Sequence, residues 1–183
     1  DLVFRGTEDG GAHIVWTRRC IDTSGYFRQT LSYSTIDASC EMTPIQDLME
    51  PILLSDGKYW GIDIDVDDSE ILVSGYYREM MTGGSFGDQT SVFILYADAP
   101  TKSSDWSLTP NVVDEIDLIP GETSSLEIEF GDDDGAHLLY NSTRSDSTGI
   151  ERHGLWYAHG LSEQSSWTYR KSVADDVTLA KMK

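Results

Sequence analysis

Positive charge is scarce in this chain: 13 Lys and Arg stand against 32 Asp and Glu, for a net charge of −19. Phosphates would be repelled and there is no basic stripe, which argues against a nucleic-acid partner. A surface this acidic suits salty or calcium-containing surroundings, and is otherwise a well-solvated face. Long apolar runs are missing too, and none reaches the roughly 18 residues of a membrane span. Helical spacing is nearly absent; its one candidate, Ile45–Leu54, is interrupted by Pro51. There is no Cys/His cluster of zinc spacing, no Gly-rich phosphate loop and no Gly-x-Ser-x-Gly elbow, which removes those chemistries. The chain begins at Asp1 rather than Met, so a processed chain or a piece of a longer one is expected.

What the chain does have is strand periodicity, repeated. In Ser125–Ser172, Leu126, Ile128 and Phe130 alternate with Glu127 and Glu129, the pattern of a strand with one buried face. Asp132-Asp133-Asp134-Gly135 reads as a turn, and three more short strands follow. Ala12-His13 recurs as Ala136-His137, 124 residues on, which is two periods of 62. Leu31-Ser32-Tyr33, Ile94-Leu95-Tyr96 and Leu155-Trp156-Tyr157 align as third strands. Trp106-Ser107 and Trp167-Thr168 mark the outer strands, and the first copy has Met42-Thr43 there. The fold expected is all-β: a β-propeller segment of three four-stranded antiparallel blades with a repeat of about 62 residues. The blades divide at 1–50, 51–114 and 115–174, with a C-terminal tail at 175–183. Their innermost strands are 2–4, 62–66 and 126–130, and their outer strands 42–45, 106–112 and 167–173.

These motifs resemble the repeats of sialidase-like (BNR or Asp-box-like) propeller proteins. Ser103-Ser104-Asp105-Trp106 and Ser165-Ser166-Trp167 retain the Trp end of an Asp-box. Integrin-like FG-GAP repeats are resembled by Trp60-Gly61-Ile62-Asp63 and Gly84-Ser85-Phe86-Gly87-Asp88-Gln89, and TolB-like repeats by Asp67-Asp68-Ser69-Glu70-Ile71-Leu72-Val73. The sialidase resemblance implies three arginines on a substrate carboxylate, a Tyr–Glu pair and an Asp acid. Phe4-Arg5-Gly6 and Arg18-Arg19-Cys20-Ile21-Asp22 resemble its Arg-containing segments, although no Ile-Pro follows Arg5. A glycoside hydrolase is therefore the alternative to a binding or structural module, outside the cell or on its surface, for a glycan or protein ligand. A subunit of a surface assembly is the third reading.

Ligand-binding candidates are the arginine-bearing loops at the ends of second strands: Arg18, Arg19, Asp22, Arg78, Arg144 and Arg152. The planar guanidinium suits carboxylates, whereas the bland role is neutralising nearby acids. Asp132, Asp133 and Asp134 are candidates for calcium, which wants six to eight hard oxygens, often around a Gly-containing loop. Asp63, Asp65 and Asp67 share that spacing, but Asp63 and Asp65 also fit as polar strand positions. His13 and His137 occupy equivalent positions, as structural residues would. Asn141-Ser142-Thr143 is a glycosylation sequon expected to be accessible at a strand end. Cys20 and Cys40 fall on opposite rims, roughly 20 Å apart at ~3.3 Å per strand residue, and so are expected unpaired. Three blades do not close a ring, so another chain or a second copy is expected to complete it.

Overall fold

A computed structural model describes residues 1–49, 51–54, 57–67, 70–79, 90–98, 106, 110–116, 125–131, 135–145, 151–161, 167 and 169–175. The chain is all-β, with no helix among the described residues, and forms three antiparallel sheets in chain order. The described residues form no closed ring.

The first sheet runs β1 (Leu2–Gly6), β2 (Ala12–Ile21) and β3 (Phe27–Ile36), and its outer edge is filled in pieces. Met42 bridges Ile36, then β4 (Gln46–Asp47) pairs with Ser32 and Tyr33, and β5 (Ile52–Leu53) with Arg28 and Gln29. Pro44 and Pro51 cannot donate to a ladder and break this strand. Hydroxyls on β3 supply the missing links. Thr30 donates to the Met49 carbonyl at 2.8 Å, Ser32 to Asp47 at 2.9 Å and Ser34 to the Thr43 carbonyl at 2.8 Å. The outer edge thus runs on past the expected strand 42–45 and past the expected boundary at 50.

The second sheet is β6 (Gly57–Val66), β7 (Glu70–Glu79), β8 (Thr90–Asp98) and β9 (Asn111–Ile116), and Trp106 bridges Ala97 ahead of β9. The third is β10 (Leu126–Phe130), β11 (Gly135–Ser145), β12 (Glu151–Leu161) and β13 (Tyr169–Asp175). In the second and third sheets every strand neighbours the next, as hairpin connections dictate, and in the first β4 and β5 share the outer edge of β3.

Tight turns of one design join the first strands. In Thr7–Gly11, Asp22–Tyr26 and Asp37–Glu41, the fourth residue donates its amide to the first residue's carbonyl at 2.9–3.1 Å. That fourth residue has positive φ: Gly10 at 89°, Gly25 at 83° and Cys40 at 66°. Glycine adopts this conformation without steric cost, and Cys40 does not. The Asp37 carboxylate offsets the strain by accepting from the Ser39 and Glu41 amides, both at 2.9 Å.

Alternation along the strands gives each sheet two faces. We call the face toward the preceding sheet in the chain leading, and the other trailing. Val15, Leu31 and Tyr33 on the trailing face of the first sheet pack against Ile62, Ile64, Ile71, Val73 and Leu95 on the leading face of the second. Leu72, Tyr76, Val92, Ile94 and Val113 on the second sheet's trailing face pack against Leu126, Ile128, Leu138 and Tyr140 of the third. A sheet apolar on both faces must be covered on both, and the middle sheet is.

Polar groups fix the stacking. The Tyr76 hydroxyl reaches the Ser125 carbonyl at 2.9 Å, and Tyr140 donates to Asp114 at 2.5 Å. Asp63 and Asp65 on β6 accept the Ile128 and Phe130 amides of β10 at 3.0 and 2.8 Å. Asp65 also meets Arg5 of β1 at 2.8 Å, so the three innermost strands are tied at one level. These two aspartates are edge caps: carboxylates satisfying amides that no neighbouring strand can reach.

Candidate functional site at the arginine-bearing rim

Strand β2 ends, β3 begins and the first sheet's outer edge passes toward β6 at one rim. The Asp22–Tyr26 turn is closed there by its own side chain. Asp22 accepts the Ser24 amide at 2.9 Å, the Tyr26 amide at 3.0 Å and the Arg28 Nε at 2.8 Å. The Arg28 guanidinium first, and then the Tyr26 and Ser24 amides, hold the Asp22 carboxyl below the usual carboxylate range. Arg28 also donates to the Pro51 carbonyl at 3.1 Å, tying the turn to β5. Asp22 is thus an organiser of this turn rather than a ligand group in waiting.

With that frame in place, an open pocket of about 530 Å³ lies between the turn and the connector to the second sheet. Arg19, Cys20, Ile21, Phe27 and Leu54 line it. Ile21, Tyr26 and Phe27 are all exposed, an unusual concentration of large apolar side chains around one turn. Sequence reasoning located Arg19 but missed Phe27, Ile21 and Leu54. The available signal was the pair Tyr26-Phe27 directly after the turn glycine, where a solvated turn has no need of two aromatics.

The remaining arginines lie at the same ends of their sheets. Arg18 is held by Asp47, one guanidinium nitrogen reaching both carboxylate oxygens at 2.9 Å. Arg78, next to the end of β7, is buried and faces Lys58 across the ladder. Arg144 and Arg152 are direct partners in the β11–β12 register. Among the described side chains, the structure does not gather these arginines into one pocket. It distributes them along the rim, with Arg19 on the pocket wall.

Asp132, Asp133 and Asp134 lie outside the described residues. Their flanks are closed by Gly131 donating to the Gly135 carbonyl at 2.7 Å, as Thr7 donates to Gly11. Among the described residues no three His, Cys, Asp or Glu side chains converge as a metal ion would need. A second opening of about 360 Å³ on the opposite rim is bounded by Gly6, Thr7, Glu8, Asp9, Val66 and Asp67. Asp9 is committed to its own turn, accepting from the Thr7 hydroxyl and the Gly11 amide.

Asn141, expected at an accessible strand end, is only 7% exposed. Strand β11 continues to Ser145, which leaves Asn141 inside the strand, with its backbone amide on the Tyr76 hydroxyl at 3.2 Å. Glycan attachment requires an accessible side-chain amide, so the folded chain does not present this sequon. Cys20 and Cys40 are free thiols. His13 and Tyr33 are hydrogen-bonded at 2.7 Å, and burial depresses the histidine's pKa. His137 and Tyr157 repeat the pair at 2.5 Å.

No family model, curated protein or solved structure matches this chain. No helix among the described residues is long and apolar enough to cross a membrane.

Proposed function

We propose that the three sheets are consecutive blades of a β-propeller, and that the module binds a glycan at its arginine-bearing rim, outside the cell or on its surface. The observation that carries the binding role is the open pocket of about 530 Å³ walled by Arg19 and Phe27. An exposed ring offers a platform for the apolar face of a sugar, and a guanidinium beside it donates to hydroxyls or a carboxylate. Meander topology, sheets stacked in chain order and innermost strands tied at one level support the propeller reading.

Binding fits the geometry better than hydrolysis by sialidase-like chemistry. That chemistry needs convergent arginines and two carboxyl groups at a defined separation. Arg18 and Arg28 are each engaged by a carboxylate of the fold instead.

The test is a glycan array, followed by calorimetric titration of any hit against the wild type, Phe27→Ala and Arg19→Ala. Each substitution is expected to weaken binding at least about tenfold, or ~1.4 kcal/mol. If no glycan is retained, or if Phe27→Ala binds like the wild type, the reading fails. Retention of proteins only would transfer the same pocket to a protein ligand.

A further inference from the structure

The β2–β3 hairpin ends in the Asp22–Tyr26 turn, and its tip is apolar. Ile21, Tyr26 and Phe27 are 62%, 62% and 60% exposed. Ile21 and Phe27 form the last pair of the β2–β3 ladder. By alternation they share the trailing face with Val15 and Leu31, which are fully buried in the core between the first and second sheets. Their exposure therefore arises beyond the level at which the second sheet covers this face, and owes nothing to the leading face. The two other turns of the same design, Thr7–Gly11 and Asp37–Glu41, carry Glu8, Asp9 and Glu41 and no large apolar side chain. The apolar tip is thus a property of these residues and not of the turn.

The tip can leave water at little polar cost. The Asp22 amide donates to the Tyr26 carbonyl and the Gly25 amide to the Asp22 carbonyl, both at 2.9 Å. The Ser24 and Tyr26 amides go to the Asp22 carboxylate at 2.9 and 3.0 Å. Donors satisfied inside the turn are not orphaned when water is withdrawn. Charge is arranged to the same effect. Asp22 is paired with Arg28 at 2.8 Å and Asp47 with Arg18 at 2.9 Å, while Arg19 is exposed with no carboxylate partner among the described side chains. Three arginines against two aspartates leave this tip positive in a chain of net charge −19. The acids of Thr7–Gly11 and Asp37–Glu41 lie at the opposite rim, with no lysine or arginine inside either turn. The ten residues of β2, at ~3.3 Å each, set the rims about 30 Å apart, several times the roughly 8 Å over which charges act at physiological salt. Those acids therefore do not repel an anion at the tip.

We infer that the β2–β3 tip docks on an anionic phospholipid surface, with Ile21, Tyr26 and Phe27 entering the boundary between headgroups and acyl chains. A tyrosine suits that depth, its ring among the chains and its hydroxyl among the headgroups. Arg19, behind the tip, donates to a lipid phosphate. A turn offers its partner a projecting point, which a deformable bilayer accommodates without a matching cavity. The rigid closure of the turn by Asp22 holds the apolar side chains outward in advance, so little ordering is lost on docking. The acidic rim then faces away from the membrane. The inference does not rest on glycan binding: Tyr26 is not part of the pocket wall, and a phospholipid vesicle offers no sugar, so the two fail separately.

Co-sedimentation of the 183-residue chain with vesicles of equal parts phosphatidylcholine and phosphatidylglycerol tests this. The wild type is expected in the vesicle pellet. Ile21→Ser and Tyr26→Ser, both at exposed positions, are each expected to lower the partition coefficient at least about fivefold with an unchanged far-ultraviolet dichroism spectrum. Met42→Ser, at an exposed position toward the opposite rim, is expected to partition like the wild type. The indole introduced by Tyr26→Trp is expected to shift its emission to the blue on the vesicles and to be quenched by bromine carried on the acyl chains. A wild type that stays in the supernatant overturns the inference. So do serine variants at Ile21 and Tyr26 that pellet as the wild type does, a Met42→Ser loss of equal size, or an indole that the brominated chains do not quench.

Discussion

Tyr76→Phe isolates what joins the second sheet to the third. Tyr76 is fully buried and its ring stacks on Trp60 at 5.6 Å and 23°. Its hydroxyl lies 2.9 Å from the Ser125 carbonyl and 3.2 Å from both the carbonyl and the amide of Asn141. Phenylalanine keeps the ring and the stack, so no cavity larger than one oxygen opens. The lost interaction is a buried neutral hydrogen bond. The Asn141 amide keeps a second acceptor, the Ser125 carbonyl at 3.0 Å, and is not orphaned. The cost therefore belongs in the middle of the range for such deletions, about 1.5 kcal/mol. In a chain of this size that lowers the melting temperature by about 3–6 °C. It lowers the urea midpoint by about 0.5–1 M at unchanged slope. Equilibrium urea unfolding followed by tryptophan fluorescence checks both. A change under about 0.3 kcal/mol would refute the claim that this hydroxyl clamps the two sheets.

Four further outcomes follow from the same packing. Leu138→Ala, at a fully buried site between the second and third sheets, should cost about 2–5 kcal/mol in urea unfolding, and a loss below 1 would mean the interface is loose. Gly160→Ala puts a Cβ 3.0–3.3 Å from the Trp167 ring and should cost about 1–3 kcal/mol, whereas a neutral result would show that the indole yields freely. Cys40→Gly removes the left-handed strain that Gly10 and Gly25 avoid, and should raise stability by about 0.5–1 kcal/mol; a loss would mean Cys40 packs usefully. Burial raises the Asp63 pKa above its ordinary 3.8, despite the opposing Ile128 and Ile64 amides. The folded state then holds its proton more tightly than the unfolded one. The stability this group contributes is present below the unfolded pKa and declines as pH rises through the folded one. Urea unfolding of wild type and Asp63→Asn across pH 4 to 8 should show the wild type losing ground to the variant as pH rises, and a constant difference would contradict the assignment.

Strand order, and the sheet to which each long strand belongs, were legible in the sequence because they are local, whereas β5 fell on the wrong side of the expected boundary at 50. Alternation at Leu126, Ile128 and Phe130 marks a strand wherever that segment ends up, and tight turns such as Asp22–Tyr26 force its neighbour alongside. The Tyr33, Tyr96 and Tyr157 alignment placed all three third strands correctly. Strand ends were less legible. Strand β2 runs on through Thr17, Arg18 and Arg19 to Ile21, since polar residues pair in a ladder as readily as apolar ones. The broken outer edge of the first sheet was hidden as well, because its repair depends on hydroxyls of Thr30, Ser32 and Ser34 across the sheet.

By itself, then, the sequence determined an all-β chain of three repeated meanders, since periodicity and turn chemistry act over a few residues. Only the tertiary structure decided which acids and arginines remain available. Asp63 and Asp65 read alike as calcium ligands or strand residues until β10 is beside them. Arg18, Arg19 and Arg28 read alike until Asp47 and Asp22 take two and a pocket takes the third. Those outcomes depend on groups brought together from distant positions, and charge pairing follows distance in space, not spacing along the chain.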